Sequence, residues 1–356
     1  MTTPIAPATA TRDYGLDLLR ILAICGVVSI HTFGSIAVNP AVQDTATAWG
    51  ARLLSSGFAW TVPVFVMLSG ALILAPRVHR DGPASFYRKR AIRIIPAAIV
   101  WTGVYLLLIR LMHGPISGWD AVSMVVDNRV YPHLYFLWLI VGLYAVAPIL
   151  SAFLEAGGRR RTVITAAVIL GVTLAAYSLM SILTAVGQPH AFPAGALTLW
   201  VLYVGYFVAG RALVSIRLHG AALLAACVGV VALGAVTMLQ VAYVDAFAIL
   251  SAISPAEYLG TVVAALSICV FLVGSSLLSR IPIGPRLGRF VVMLSDASFG
   301  VYLVHLIVLL VPHGLLPGFL ERTSLPQALL AYAFIVPVSF AISIVARRIP
   351  GVRLVF

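Results

Sequence analysis

The sequence predicts an all-α polytopic membrane bundle of about ten transmembrane helices. Three observations carry that reading. Of the 356 residues, 62% are hydrophobic and only 10% charged, against about 25% charged in a soluble chain. Apolar runs of roughly 20 residues recur along the chain, the length that crosses a ~30 Å hydrocarbon core as a helix. The basic residues gather at alternate ends of those runs, as the positive-inside rule requires. The same figures exclude disordered, collagen-like and disulfide-scaffold classes. Cys25, Cys227 and Cys269 lie singly inside apolar segments, with neither metal-ligand spacing nor a disulfide framework.

The expected spans run at about 16–38, 53–75, 94–112, 134–154, 162–184, 197–216, 219–241, 258–279, 294–312 and 327–346. In lipid, only helices satisfy their own backbone at these lengths. The division between the sixth and seventh rests on Arg211, Arg217, His219 and Gly220 alone. With residue 1 inside, the outside segments hold only Arg52, Arg110, Arg129 and Arg322 of the 23 Lys and Arg. Both termini are therefore expected in the cytoplasm. The net charge of +12 is topological, and nucleic acid is not an expected partner.

The expected organisation is a cytoplasmic tail at 1–15, a membrane domain at 16–346 and a cytoplasmic tail at 347–356. The first apolar run is too long for the h-region of a cleavable signal peptide, and no small-residue cleavage site follows closely. The longest outside loops, about 113–133 and 242–257, offer at most a lid or re-entrant piece. Any chemistry then belongs within the bundle or at its rims. No internal repeat is visible, which disfavours the transporter folds built from repeats.

Ionisable groups inside a span are costly and by default point to function. The first span carries Asp17, Arg20 and His31. Eleven residues at 100° each return to within about 20° of the start, so Arg20 and His31 share a face some ~16 Å apart along the axis. Asp17 pairs with Arg20 at i,i+3. The blander reading has Arg20 snorkelling to headgroups and His31 bonded within the bundle. In the ninth span Ser298, Tyr302 and His305 stand at i, i+4 and i+7, and His305 reaches a depth similar to that of His31.

Other segments are suggestive. Val62 to Gly70 combines Pro63 with a Ser69-Gly70 pair, which loosens the helix ladder and permits close approach of a backbone or a ligand. Arg88, Lys89, Arg90 and Arg93 form the densest basic cluster. It suits topology and anionic headgroups or, through the guanidinium fork, a phosphate-rich cofactor docking from the cytoplasm. His133, Tyr135 and Trp138 open the fourth span at the outer rim, either as an interface belt or as a stacking surface for a sugar-like acceptor.

Taken together, these residues resemble the acyltransferase 3 family of integral membrane acyltransferases. Arg20 and His31, ten residues apart, resemble its first-helix signature, and Arg12 to Arg20 its opening. Val62 to Gly70 is similar to its apolar-Ser-Gly motif, Arg90-x-x-Arg93 to its arginine motif and Ala297 to His305 to its late-helix motif. The stretch from His133 to Pro148 resembles the branch containing enterobacterial common antigen O-acetyltransferases and related surface-polysaccharide acyltransferases. Two departures stand out: Ala71 follows Gly70 where the family often has an aromatic, and no fused extracytoplasmic esterase-like domain is expected.

The resemblance implies acyl transfer, often of acetyl, from coenzyme A to a hydroxyl of a cell-surface glycan or lipid-linked sugar. Acetyl-CoA or another acyl-CoA is the expected donor, membrane lipids are partners, and no metal is expected. On that reading His31 is the general base, a role suited to an imidazole with an ordinary pKa of about 6.5, and an acyl-histidine is the variant mechanism. His305, Tyr302 or Ser69 would donate to the oxyanion. Arg90 and Arg93 would hold coenzyme A phosphates with Arg88 and Lys89 as neighbours, and Arg20 would either hold the donor's arm near the entrance or pair structurally with Asp17. His133, Tyr135 and Trp138 would face the acceptor. The expected location is a bacterial plasma membrane, in keeping with one Lys among the 23 basic residues. The competing reading is a proton-coupled transporter or exporter. A non-catalytic scaffold in a polysaccharide assembly complex is the third.

Overall fold

A computed structural model describes residues 14–190 and 195–356. Arg12 and Asp13, which belong to the family-like opening, lie outside the described residues. Among those described, the chain is helical with no strand. Eight helices are long and apolar enough to cross a membrane.

Helix α1 (Tyr14–Ala37) runs through the middle of the bundle. Helix α2 (Ala46–Ser55), a short 3-10 turn and α3 (Thr61–Ile73) together make the second span. The third is α4 (Gly82–His113). The fourth and fifth form one 51-residue helix, α6 (Tyr135–Ala185), broken at Gly158, where φ is 62° and ψ −157°. That backbone region favours glycine, so two expected spans join at a kink rather than through a loop. A 3-10 turn leading into α7 (Val204–Leu213) fills the sixth position as a shorter apolar helix.

The last four positions are taken by α8 (Gly220–Ala242), α10 (Thr261–Leu277), α11 (Pro285–Leu315) and α13 (Leu325–Ala346). Each expected span thus finds a helix. Short helices α5 (Gly118–Val126) and α9 (Ala248–Ile253) occupy the two long loops, and α12 (Pro317–Leu320) precedes α13. Helix starts follow local chemistry. Thr45 accepts from the Ala48 amide and Ser117 from that of Asp120, each capping an amide that the helix leaves unpaired.

α1 packs against α2, α3, α10, α11 and α13. α3 and α7 meet backbone to backbone. A Cβ on Gly70 would sit 1.7 Å from the Phe207 carbonyl oxygen, and one on Gly210 would sit 1.8 Å from that of Met67. Gly70 therefore serves close approach of a second helix, one of the two uses its position allowed. On the perimeter, Leu111, Ile149, Val172 and Val231 are exposed, an apolar surface suited to lipid. Residues 352–356 fold back on α4, where Trp101 Nε1 donates to the Val355 carbonyl at 2.8 Å and faces the Phe356 ring.

Candidate active site

One cavity of about 590 Å³ runs inside the bundle. At one mouth it is lined by Arg77, Arg90 and Arg93, and in its depth by His31 and His133. α1 supplies Arg20, Ile24, Val27 and His31 to its wall, the i, i+4, i+7, i+11 row of one helix face.

Arg90 is fixed at the mouth by aromatic rings. Its guanidinium carbon lies 5.8 Å from the ring centres of both Phe86 and Tyr144, within cation–π range, and its Nε is buried without a hydrogen-bond partner. Arg93 and Arg77 are exposed and line the same mouth. Arg88 and Lys89 do not line it. Lys89 turns away to donate to Asp81 at 2.8 Å. That hydrogen bond, and then the ammonium charge, hold the Asp81 carboxyl below its ordinary range. Asp296 also lines the cavity, 3.6 Å from Arg347.

Arg20 is held against the wall from two helices. Its Nη1 donates to Ser295 Oγ at 3.0 Å, and that hydroxyl donates to Asp17 Oδ1 at 2.7 Å. Arg20 and Asp17 approach directly to 3.9 Å. Asp17 is buried and does not line the cavity, so it acts on the site through Arg20 and Ser295.

At the deep end three imidazoles converge. The His31 and His305 ring centres are 5.3 Å apart, His133 and His305 5.2 Å, and His31 and His133 6.5 Å. The shared depth of His31 and His305 is as expected. The rim position expected for His133 is corrected: the turn before α6 folds it inward, leaving it 3% exposed. Tyr302 Oη anchors that turn by donating to the His133 carbonyl at 2.6 Å. The Leu303 carbonyl lies near the His133 ring, but neither ring nitrogen completes a hydrogen bond of normal geometry.

His305 Nδ1 lies 2.8 Å from the Tyr302 carbonyl and 3.1 Å from the Val301 carbonyl. Carbonyls only accept, so Nδ1 carries the proton and the buried, unpartnered Nε2 presents its lone pair. Ser69 lines the cavity from α3, and Tyr135 from the start of α6. Trp138 lines neither this cavity nor the wider one beyond it.

Two features escaped the sequence reading. Arg77, one basic residue among many on its side, had no motif around it to single it out. The inward turn of His133 is set by a bond to Tyr302, far away in sequence. Among the described residues no group of His, Cys, Asp or Glu is placed to hold a metal ion.

A multi-pass helical bundle with a polar chamber running from guanidiniums to imidazoles is the class of protein these observations define. Residues 13–348 match the acyltransferase domain family, Acyl_transf_3, and the chain belongs to that family. Nodulation protein 10 of Rhizobium leguminosarum bv. viciae is 30% identical over 121 residues, covering 34% of this chain and 30% of that protein. The chain thus matches under a third of that relative's length. No solved structure matches.

Proposed function

We propose that the protein is an O-acyltransferase of a bacterial plasma membrane. It moves an acyl group, acetyl foremost, from a coenzyme A thioester to a hydroxyl of a cell-surface glycan or lipid-linked sugar. The observation that carries this reading is the single cavity joining Arg77, Arg90 and Arg93 to His31. The arginine mouth faces the cytoplasm by the positive-inside rule. Arg77, Arg90 and Arg93 hold the donor's phosphates through charge-assisted bonds. Arg20 lines the path of the donor's thin arm, whose length is on the order of the ~16 Å between Arg20 and His31.

His31 takes the proton of the acceptor hydroxyl as its oxygen attacks the thioester carbonyl. The carbon–sulfur bond then breaks, and the imidazolium returns its proton to the departing thiolate. His305 offers only a lone pair at Nε2, so its part is to accept from an N–H of His31 or His133 once substrate draws the rings together, and it does not donate to an oxyanion. The Tyr302 hydroxyl already donates its hydrogen bond to the His133 carbonyl. Of the three oxyanion donors considered, Ser69 is the one these assignments support.

The test is incubation of purified protein in lipid with radiolabelled acetyl-CoA and candidate glycans, following thiol release and label transfer. Acceptor-dependent release is the expected result. Substrate flux with no acyl-CoA consumed would overturn the reading in favour of an exporter.

A further inference from the structure

Beyond the histidines lies a second, wider cavity of about 1390 Å³. It is lined by the far half of α1, the end of α8, and α9 with the loop that follows. Ile30, Tyr135 and Tyr258 line both cavities and form the partition between them. Tyr206 Oη donates to the Tyr258 carbonyl at 2.7 Å and holds that side of the partition in place. The partition is therefore made of side chains alone, and two of the three are phenols able to hydrogen-bond a hydroxyl-bearing ligand.

The two chambers differ in charge. The inner one is lined by Arg20, Arg77, Arg90 and Arg93, with Asp296 as its carboxylate. The charged residues lining the outer one are Asp127, Asp245 and Glu257, and no Lys or Arg lines it among the described residues. Arg129 neutralises Asp127 from outside the lining, and Glu257 accepts from the Tyr177 hydroxyl. His190 lies at the rim, with Nδ1 against the Gln188 carbonyl.

Carboxylates and tyrosine hydroxyls are acceptors and donors for sugar hydroxyls, and tyrosine rings supply flat apolar faces. A phosphate or uronate entering here would meet like charge with no cation on the lining to offset it.

We infer that the outer cavity is the acceptor chamber and that it takes a sugar bearing hydroxyl or amino groups but no anionic group on the ring that is acylated. That ring reaches the histidines by displacing the Tyr135 and Tyr258 side chains of the partition. The inference rests on the acyl-transfer reading above and adds the acceptor's charge class to it.

The experiment uses the full-length protein in lipid nanodiscs with labelled acetyl-CoA and three probes: 4-nitrophenyl β-D-glucoside, the glucosaminide and the glucuronide. The expected result is acylation of the first two, with kcat/KM for the glucuronide at least about tenfold lower, one decade per 1.4 kcal/mol. In the double variant Asp245→Lys/Glu257→Lys, both at exposed positions, that gap closes or reverses while KM for acetyl-CoA stays constant. Glu257→Gln, the milder change, raises KM for the glucosaminide and leaves kcat in place. A glucuronide as good as the glucoside, or a gap that the double variant does not move, would overturn the inference. So would donor binding with none of the three probes acylated. Absence of both donor binding and label transfer would instead overturn the acyl-transfer reading itself.

Discussion

The imidazoles of His31 and His305 face each other with ring centres 5.3 Å apart, one from the first helix and one from the eleventh. Their closeness follows from the packing of α1 against α11, which also brings Ser295 to Arg20 and Asp17. The same helix pair therefore sets both the depth of the imidazoles and the position of the guanidinium that leads to them. His31 faces the cavity, whereas His305 lies behind it with its proton committed to backbone carbonyls.

The first prediction separates those two roles. His31→Ala is expected to lower acyl transfer by about 10²–10⁴-fold, the usual worth of a general base, with donor binding retained. His305→Ala removes an orienting acceptor and is expected to cost about 10²-fold, the scale of a misplaced reacting group. His305→Gln, whose side-chain oxygen can accept, should recover part of that loss. Equal turnover in His31→Ala and the native protein, measured by thiol release, would remove the base assignment.

A second prediction divides the basic residues. Arg77→Ala, Arg90→Ala and Arg93→Ala should each weaken coenzyme A binding by roughly tenfold or more, since a hydrogen bond to a charged group is worth about 1.5–3 kcal/mol. Arg88→Ala and Lys89→Ala should leave it unchanged, because neither side chain lines the mouth and Lys89 is paired to Asp81. Calorimetric titration in detergent distinguishes the two sets.

Much of this arrangement is legible in one dimension. The spans follow from hydropathy, and the shared face of Arg20 and His31 follows from helical periodicity. Ser69 and Gly70 could be singled out as a pair, but only packing divides their roles, with Ser69 at the cavity and Gly70 against the Phe207 carbonyl. His133 could not be placed. It precedes the predicted span by one residue, and linear order cannot distinguish a rim position from a turn folded inward and tied to Tyr302. Lys89 failed in the opposite sense. Charge density suggested a common role with Arg90, yet adjacent helical positions point about 100° apart, and Asp81 captures the lysine.

A third prediction concerns the bracing of Arg20. Ser295 links Arg20 to Asp17 by accepting from one and donating to the other. Ser295→Ala removes both links and should lower stability by about 1.5–3 kcal/mol, read as a fall in the detergent melting temperature. Among the described residues, the 3.9 Å approach to Asp17 would then be the remaining ion pair holding Arg20, and KM for the donor should rise. Ser295→Thr, which keeps a hydroxyl, should restore most of the donor affinity. An unchanged donor KM in Ser295→Ala would show that Arg20 needs no brace.

The last prediction tests the α3–α7 contact on which Ser69 depends. Gly70 and Gly210 face each other's helices, each with a backbone carbonyl where a Cβ would stand. A carbonyl within a helix cannot turn aside as a flexible side chain can, so Gly70→Ala forces the helices apart. Overpacking of this kind costs about 1–3 kcal/mol. Displacement of α3 also moves Ser69 on the cavity wall, so activity should fall more steeply than donor binding, for which Arg90 and Arg93 stand on α4. Gly103→Ala, where nothing lies within 4 Å of the added carbon, is the matched control and should stabilise the helix slightly by the propensity difference, about 1 kcal/mol at most. If Gly70→Ala melted at the temperature of the Gly103→Ala protein with full turnover, the close contact between α3 and α7 would not be what positions Ser69.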